Sequence, residues 1–543
     1  MKNLLLVVSI SYLFACRSAI QADLIVHHGK VYTVDSSFSV AEAFAVKDGK
    51  ILAVGKDADI LKAYTAKQTV DAKGKAVYPG FIDAHTHFLS YGQSLFTVNL
   101  YDSRSIEEMV ERIKQFVSTH PNEQWILGRG WDQNKFPGKA YPTNELLNKY
   151  FPDKPVLLAR VDGHASIANN KALQLAGIRP NQIITGGEFE TKNNVLTGLL
   201  IDNAVRAVSN FVPAITKADY EKWLLAAQEK CFAQGLTTLT ECGLNVKDIH
   251  IIDTLQQENK LNVRLFVLFS DNKQNLDYYL PKGPYKTDKL YVHGVKVYAD
   301  GALGSRGACL LQPYTDRKGW FGFLLHNKSH YDSLAAVLSK TEFQMCTHAI
   351  GDSANREILK VYTRYLGGKN DKRWRIEHAQ IINQNDFALF GNSSIIPSVQ
   401  PTHGTSDMYW AEERLGKERL KGGYALQQLL QQNGWLPLGT DFPVEDISPF
   451  KTFLAAVFRR DAKGFPTTGF QAGNALTREQ TIRGITIWAA KAAFLEKELG
   501  SLEPGKKADF IILDNDLLQI PEQQVLQTKP IATYLGGNKV FGK

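Results

Sequence analysis

Pro79-Gly-Phe-Ile-Asp-Ala-His-Thr-His-Phe88 is the stretch that decides how this chain folds. Pro79 and Gly80 signal a turn. Residues 81–88 form an apolar run as long as one buried strand. Residues i and i+2 of a strand point to the same face, so the imidazoles of His85 and His87 face one way. Two neutral imidazoles on a rigid strand end are half of a site for zinc or a similar ion, which takes at least one more protein ligand from elsewhere. A His-x-His pair on its own serves equally well as two polar residues of a core or a surface. The other strands decide between these readings.

Working outward, apolar β candidates recur at residues 81–87, 236–242, 263–269, 294–299, 344–350, 374–379, 395–399 and 436–440. Helical patterns at 220–234, 246–258, 331–340, 354–366 and 425–433 fall between them. Strands alternating with helices predict an α/β fold, a (β/α)8 TIM-type barrel spanning residues 79–499. An open doubly wound sheet is the alternative. Gly301, Gly304 and Gly307 lack its Gly-x-Gly-x-x-Gly spacing, and no apolar helix pattern follows them. The gap after the first strand is too long for one crossover. Residues from about 100 to 218 are therefore expected to form an inserted subdomain that covers the barrel mouth. Hairpin signals at Asp48-Gly49 and Gly536-Gly537, and a turn at Pro504-Gly505, place residues 22–78 and 500–543 in one small β-sandwich domain formed from both chain ends.

The 543-residue chain carries a net charge of +8 with no dense Lys/Arg block, which argues against a nucleic-acid partner. Residues 1–16 read as an export signal, with Lys2 ahead of an apolar segment at 4–15 that is too short to span a bilayer. Leu13-Phe-Ala-Cys16 resembles a lipobox, although Phe14 replaces the usual small residue. The expectation is a periplasmic or membrane-anchored lipoprotein that meets the membrane only through a lipid anchor on Cys16. Cys231, Cys242, Cys309 and Cys346 form no Cys-x-x-Cys pair, so a thiolate zinc cluster is not expected.

Several candidate strands end in a metal-ligand type: Lys296, His348, His378 and, just past the last strand, Asp441. Singly, each is better read as a satisfied polar residue. As a set they lie at one end of different strands in one barrel, where side chains converge.

These residues, with the phrases PGFIDAHTHF (79–88), VDGHASIANNKAL (161–173), VKVYADGALGSRGA (295–308), THAIGD (347–352), RIEHAQ (375–380), GTDFPVE (439–445) and PGKKADFIIL (504–513), resemble the amidohydrolase superfamily. The wording is similar to its YtcJ-like branch, which includes N-substituted formamide deformylases. The resemblance runs from about residue 23 to 540 and implies one or two divalent ions, zinc first among them. It implies His85, His87 and Asp441 on the first ion, His348 and His378 on the second, and Lys296 bridging them as a CO2-derived carbamate. An unmodified Lys296 beside one metal is the other form. Asp441 would serve as ligand and catalytic proton carrier, and the reaction would be hydrolysis of a C–N amide-type bond in a small molecule by metal-activated hydroxide. Cyclic-amide hydrolysis, deamination and a non-catalytic metal-binding role stay open on the same scaffold. The partners implied are a small-molecule substrate and, in a homodimer, a second copy of the chain.

Four further residues are substrate-binding candidates. His164 either contacts substrate or holds the insert in place. Arg306 either meets a substrate carboxylate or pairs with Asp300 or Asp352. Trp131, with its neighbour Asp132, is expected at the mouth, and His403 follows the seventh strand. Asp202 stands where the family usually has Glu, in Thr197-Gly-Leu-Leu-Ile-Asp202.

Overall fold

The computed structural model describes residues 19–542, so the expected signal and Cys16 lie outside the described residues. Apolar runs that bury both faces become the parallel strands of a barrel. They are β1 (Phe81–Thr86), β2 (Leu236–Leu244), β3 (Arg264–Ser270), β4 (Leu290–Tyr298), β5 (Gln344–Ala349), β6 (Arg375–His378) and β7 (Ile396–Ser398). Each pairs in parallel with the next.

Residues 436–440, expected as the eighth strand, close the ring without forming a regular strand. A single parallel bridge links Val399 and Leu438. The backbone N–H of Gly439 donates to Val399 O at 3.0 Å, and those of Ala84 and Asp441 bond Leu438 O at 3.1 Å and His85 O at 2.9 Å. The physical reason lies in two residues. Pro437 has no N–H for a ladder, and Gly439 lies so close to β1 that a Cβ there would sit 2.7 Å from the His85 nitrogen.

Two helices outside the strands begin ahead of where their apolar patterns start. Thr216 and Asp219 form a capping box, so the helix Lys217–Ala233 starts earlier than its hydrophobic spacing suggests. The helix Lys328–Leu338, which has no side-chain cap, also begins ahead of the expected residue 331 and takes in His330.

Two further sheets lie outside the barrel, the first from N-terminal residues alone and the second from both ends. One is ordered Lys50–Gly55, Ala43–Lys47, Ile20–His27, Tyr64–Asp71. The other is ordered Asn538–Phe541, Pro530–Leu535, Phe510–Leu513, Ala76–Pro79, Lys30–Tyr32, Val40–Ala41. Between β1 and β2 lies a third sheet, running from Gly187–Lys192 at one edge to Val98–Asn99 at the other, with its own apolar core around Ile113, Leu147 and Ile167. Cys231, Cys242, Cys309 and Cys346 are free thiols.

Candidate metal centre

The C-terminal ends of β1, β4, β5 and β6, with the segment after residue 440, bring His85, His87, Lys296, His348, His378 and Asp441 to one cavity. Its volume is about 1290 Å³, and its wall also includes Arg129, Asp132, Arg160, Asp162, His164 and Asp202 from the insert. His85 itself is fully buried, with Nε2 3.6 Å from Asp441 Oδ1.

Each imidazole is oriented from behind. His85 Nδ1 donates to Glu377 Oε2 at 2.6 Å, His87 Nδ1 to the carbonyl of Cys242 at 3.1 Å, and His378 Nδ1 to Gln400 Oε1 at 2.7 Å. In all three the Nε2 lone pair is left for the interior, the arrangement that second partners impose on metal-ligating histidines. Burial first, and the Lys296 charge second, lower the His85 imidazole to about 4. Burial and a neighbouring imidazole hold His348 and His378 well below the ordinary histidine value. These rings are neutral at physiological pH, the form that binds metals.

Asp441 sits at the centre. Its Oδ1 lies 3.6 Å from His85 Nε2 and 3.4 Å from His87 Nε2, and its Oδ2 lies 3.3 Å from His403 Nε2. Burial alone would raise this carboxyl, but the nearby His403 and His87 rings outweigh it and keep the group well below the usual carboxylate range. The reciprocal effect lifts His403: burial lowers it, and the Asp441 carboxylate 3.3 Å away more than reverses this, to about 9.

The donor set fits a divalent ion. Donor atoms of His85, His87 and Asp441 lie within 4.8 Å of one another, and so do those of His378, His403 and Asp441. Asp441 Oδ1 and His348 Nε2 are buried with no hydrogen-bond partner among the described residues. Orphaned buried polar atoms cost free energy unless something binds them, and nitrogen with carboxylate oxygen is the zinc-type ligand set. The grouping also brings His403, read from the sequence as a substrate contact, beside His378 and Asp441.

The structure separates the remaining candidates. His164 lines the cavity, and its Nδ1 bonds Asp202 Oδ1 at 2.6 Å, so the unusual Asp202 holds this ring from behind. The ring centre lies 5.0 Å from that of His348. Arg306 does not line the cavity and pairs with neither Asp300 nor Asp352. It bonds Asp316 at 2.8 Å, because the loop after β4 folds back on itself. Trp131 is fully buried in the insert, with Nε1 donating to Leu158 O at 2.7 Å, while its neighbour Asp132 faces the cavity. Neighbours in an extended chain point oppositely, so the two could not both face the mouth.

Glu377 and Gln400 were missed by the sequence reading. Arg375 and Glu377 stand at i and i+2 of one buried strand, a same-face ion-pair signal that was there to be read. Gln400 offered no such signal.

The glycines of the loop after β4 have a use here. A Cβ on Gly301 or on Gly307 would lie 2.4 Å from Asp202 Oδ2. Gly301→Ala is therefore expected to displace Asp202 and, through it, His164, lowering kcat/KM by up to about 10²-fold with metal content unchanged. Parallel loss of metal would show instead that the contact supports the ligands.

Comparison with known proteins follows this geometry. The model of the amidohydrolase family matches residues 68–541. Protein LONG AFTER FAR-RED 3 of Arabidopsis thaliana is 34% identical, over 96% of this chain and 92% of the plant protein. N-substituted formamide deformylase of Arthrobacter pascens is 25% identical, over 95% of this chain and 97% of its own. The crystal structure of an uncharacterized metal-dependent hydrolase from Pyrococcus horikoshii OT3 superposes with a TM-score of 0.76 at 29% identity, covering 92% of this chain and 99% of that one.

Proposed function

This chain belongs to the amidohydrolase family of metal-dependent hydrolases acting on carbon–nitrogen bonds, and from that premise we propose that it hydrolyses a small N-acyl or N-formyl amine with Asp441 as the proton carrier. The observation that carries this reading is the convergence of buried, partnerless Asp441 Oδ1 with the nitrogens of His85, His87 and His378, beside the His348 ring, whose centre lies 4.6 Å from that of His378 and whose Nε2 has no hydrogen-bond partner among the described residues. His85, His87 and Asp441 would hold one zinc ion, His348 and His378 a second, and Lys296 would join them as a carbamate. Lys296 is fully buried, and its Nζ lies 3.2 Å from His85 Nε2. No carboxylate lies within ion-pair distance of it among the described residues. A buried unpaired ammonium is costly, and addition of CO2 to the neutral amine, with loss of a proton, yields an anionic oxygen donor at the same point.

When bound, such ions polarise a carbonyl and acidify water. The chain supplies the rest. Asp441 Oδ1 takes the proton of the attacking water as its oxygen adds to the carbonyl carbon. The same carboxyl gives that proton to the nitrogen as the C–N bond breaks, leaving a carboxylic acid and an amine. His403 holds the other oxygen of Asp441 and fixes its direction. His164, held through Nδ1, offers Nε2 to the substrate, and the insert closes over the mouth.

A screen of N-formyl amines, N-acyl amines and acyl-amino acids on zinc-loaded protein tests the reading. Turnover of at least one class is expected, abolished by chelation and restored by zinc. A chain that takes up no zinc on reconstitution would overturn it.

A further inference from the structure

Outside this centre, one more set of metal-ligand side chains comes together among the described residues. Donor atoms of Asp271, His326 and His330 lie within 4.8 Å of one another. Asp271 is the first residue past β3, His326 ends the long loop after β4, and His330 sits in the first turn of the helix Lys328–Leu338. The two imidazole rings stack at 4.2 Å with 23° between planes. His330 Nε2 lies 2.8 Å from Asp271 Oδ2.

The segment is anchored, not loose. The His326 N–H donates to the Tyr331 hydroxyl at 3.1 Å, that hydroxyl donates to the Ala299 carbonyl at 3.0 Å, and the Leu325 N–H bonds the same carbonyl at 2.9 Å. Asp271 and His326 also line the large cavity. The His330–Asp271 bond explains two of the three side chains. It leaves out the His326 ring, which stacks at the rim and makes no hydrogen bond among the described residues.

A bridging cation accounts for all three. Two imidazoles and one carboxylate are a zinc-type set that leaves a coordination position open. Metal–ligand distances near 2.0–2.2 Å put neighbouring donors about 3.3 Å apart, so the exposed His326 ring has to turn out of its stack on His330 for both rings to point at one ion.

We propose that Asp271, His326 and His330 bind one zinc-like divalent ion at the rim of the cavity, additional to the centre at the ends of β1, β4, β5 and β6. The ion ties the end of β3 to the helix that follows β4 and turns its open position toward the cavity.

The test is zinc loading of chelator-stripped protein, wild type against His326→Ala/His330→Ala, with elemental analysis and anomalous diffraction from zinc-soaked crystals of the wild type. The double variant is expected to hold one ion per chain fewer, with an unchanged circular dichroism spectrum. An anomalous peak is expected between the three wild-type side chains. Equal stoichiometry in the two proteins, or an empty rim at millimolar zinc, overturns the proposal. Should the double variant not fold, Asp271→Asn, which keeps both rings, replaces it and is expected to lose the same ion. A His85→Ala/His87→Ala protein keeps the rim peak if the two sites are separate, so failure of the main centre and failure of this one are distinguishable.

Discussion

Asp441→Asn is expected to keep most of its metal, once reconstituted, and to lose at least about 10² in kcat, within the 10²–10⁴ typical of a general acid–base group. The substitution is unusually clean at this position. Asp441 has a φ of 63°, in the left-handed region, which Asn and Asp tolerate better than other non-glycine residues. Asn therefore preserves the backbone, the volume and an oxygen facing the site, and removes only the charge that accepts the proton. If Asp441 were a ligand alone, saturating metal would restore the rate. As a proton carrier it leaves a deficit at full occupancy, and the acidic limb of the pH–rate profile that reports its ionisation disappears. Retention of more than about a tenth of wild-type kcat at full occupancy would remove Asp441 from the role. Asp300 and Asp352, which do not line the cavity, are poorly placed to inherit it. Asp300 accepts the backbone N–H groups of Cys309, Ile350 and Gly351, at 2.8, 3.0 and 2.9 Å, and Asp352 accepts that of Leu311 at 2.9 Å.

Glu377→Gln is expected to destabilise the folded chain by about 3–5 kcal/mol, the cost of leaving a buried partner charge uncompensated. Glu377 and Arg375 are both fully buried, with Arg375 Nε 2.7 Å from Glu377 Oε1, and the other carboxylate oxygen accepts from His85. Burial by itself would raise the Glu377 carboxyl; the Arg375 charge, and then His85, more than offset this and hold it far below the ordinary glutamate value. A carboxyl lowered on folding stabilises the fold above its unfolded value of about 4.3, and that stability is lost as the pH falls below it. The variant should lose this acid-sensitive part of its stability. It should also bind metal about 10–100-fold more weakly, because His85 loses the partner that orients it. Equilibrium urea unfolding with metal titration reads both effects. An unchanged midpoint would mean that the Ala84 carbonyl at 2.6 Å and the Ser398 hydroxyl at 3.1 Å suffice for Arg375.

The residues that converge at the cavity were legible as a group because they stand at or just past strand ends, where β periodicity and barrel closure dictate direction. His85 and His87 announce themselves by their spacing, and Lys296 and His348 lie inside apolar runs of the length of a buried strand. Arg306 misled because it lies in a loop, whose path follows long-range contacts such as that with Asp316 and leaves no period in the sequence. Trp131 misled for a different reason: strand alternation says that it and Asp132 point apart, but not which of them faces the cavity. Residues 436–440 read as a strand from their apolar character, yet Pro437 and the crowding at Gly439 leave only a bridge.

The sheet shared by the two ends of the chain also sets a timetable. Ala76–Pro79 pairs with Phe510–Leu513, and only Gly80 separates that strand from β1, which carries His85. Tyr78 bonds Asp516 across 438 positions. At about 5–20 residues per second on the ribosome, the partner of this strand is made roughly 20–90 s after the strand itself. For that interval the root of the first barrel strand has an open edge, a template for pairing with another chain. Whatever shelters a nascent chain would have to act here, before the histidines are held in place.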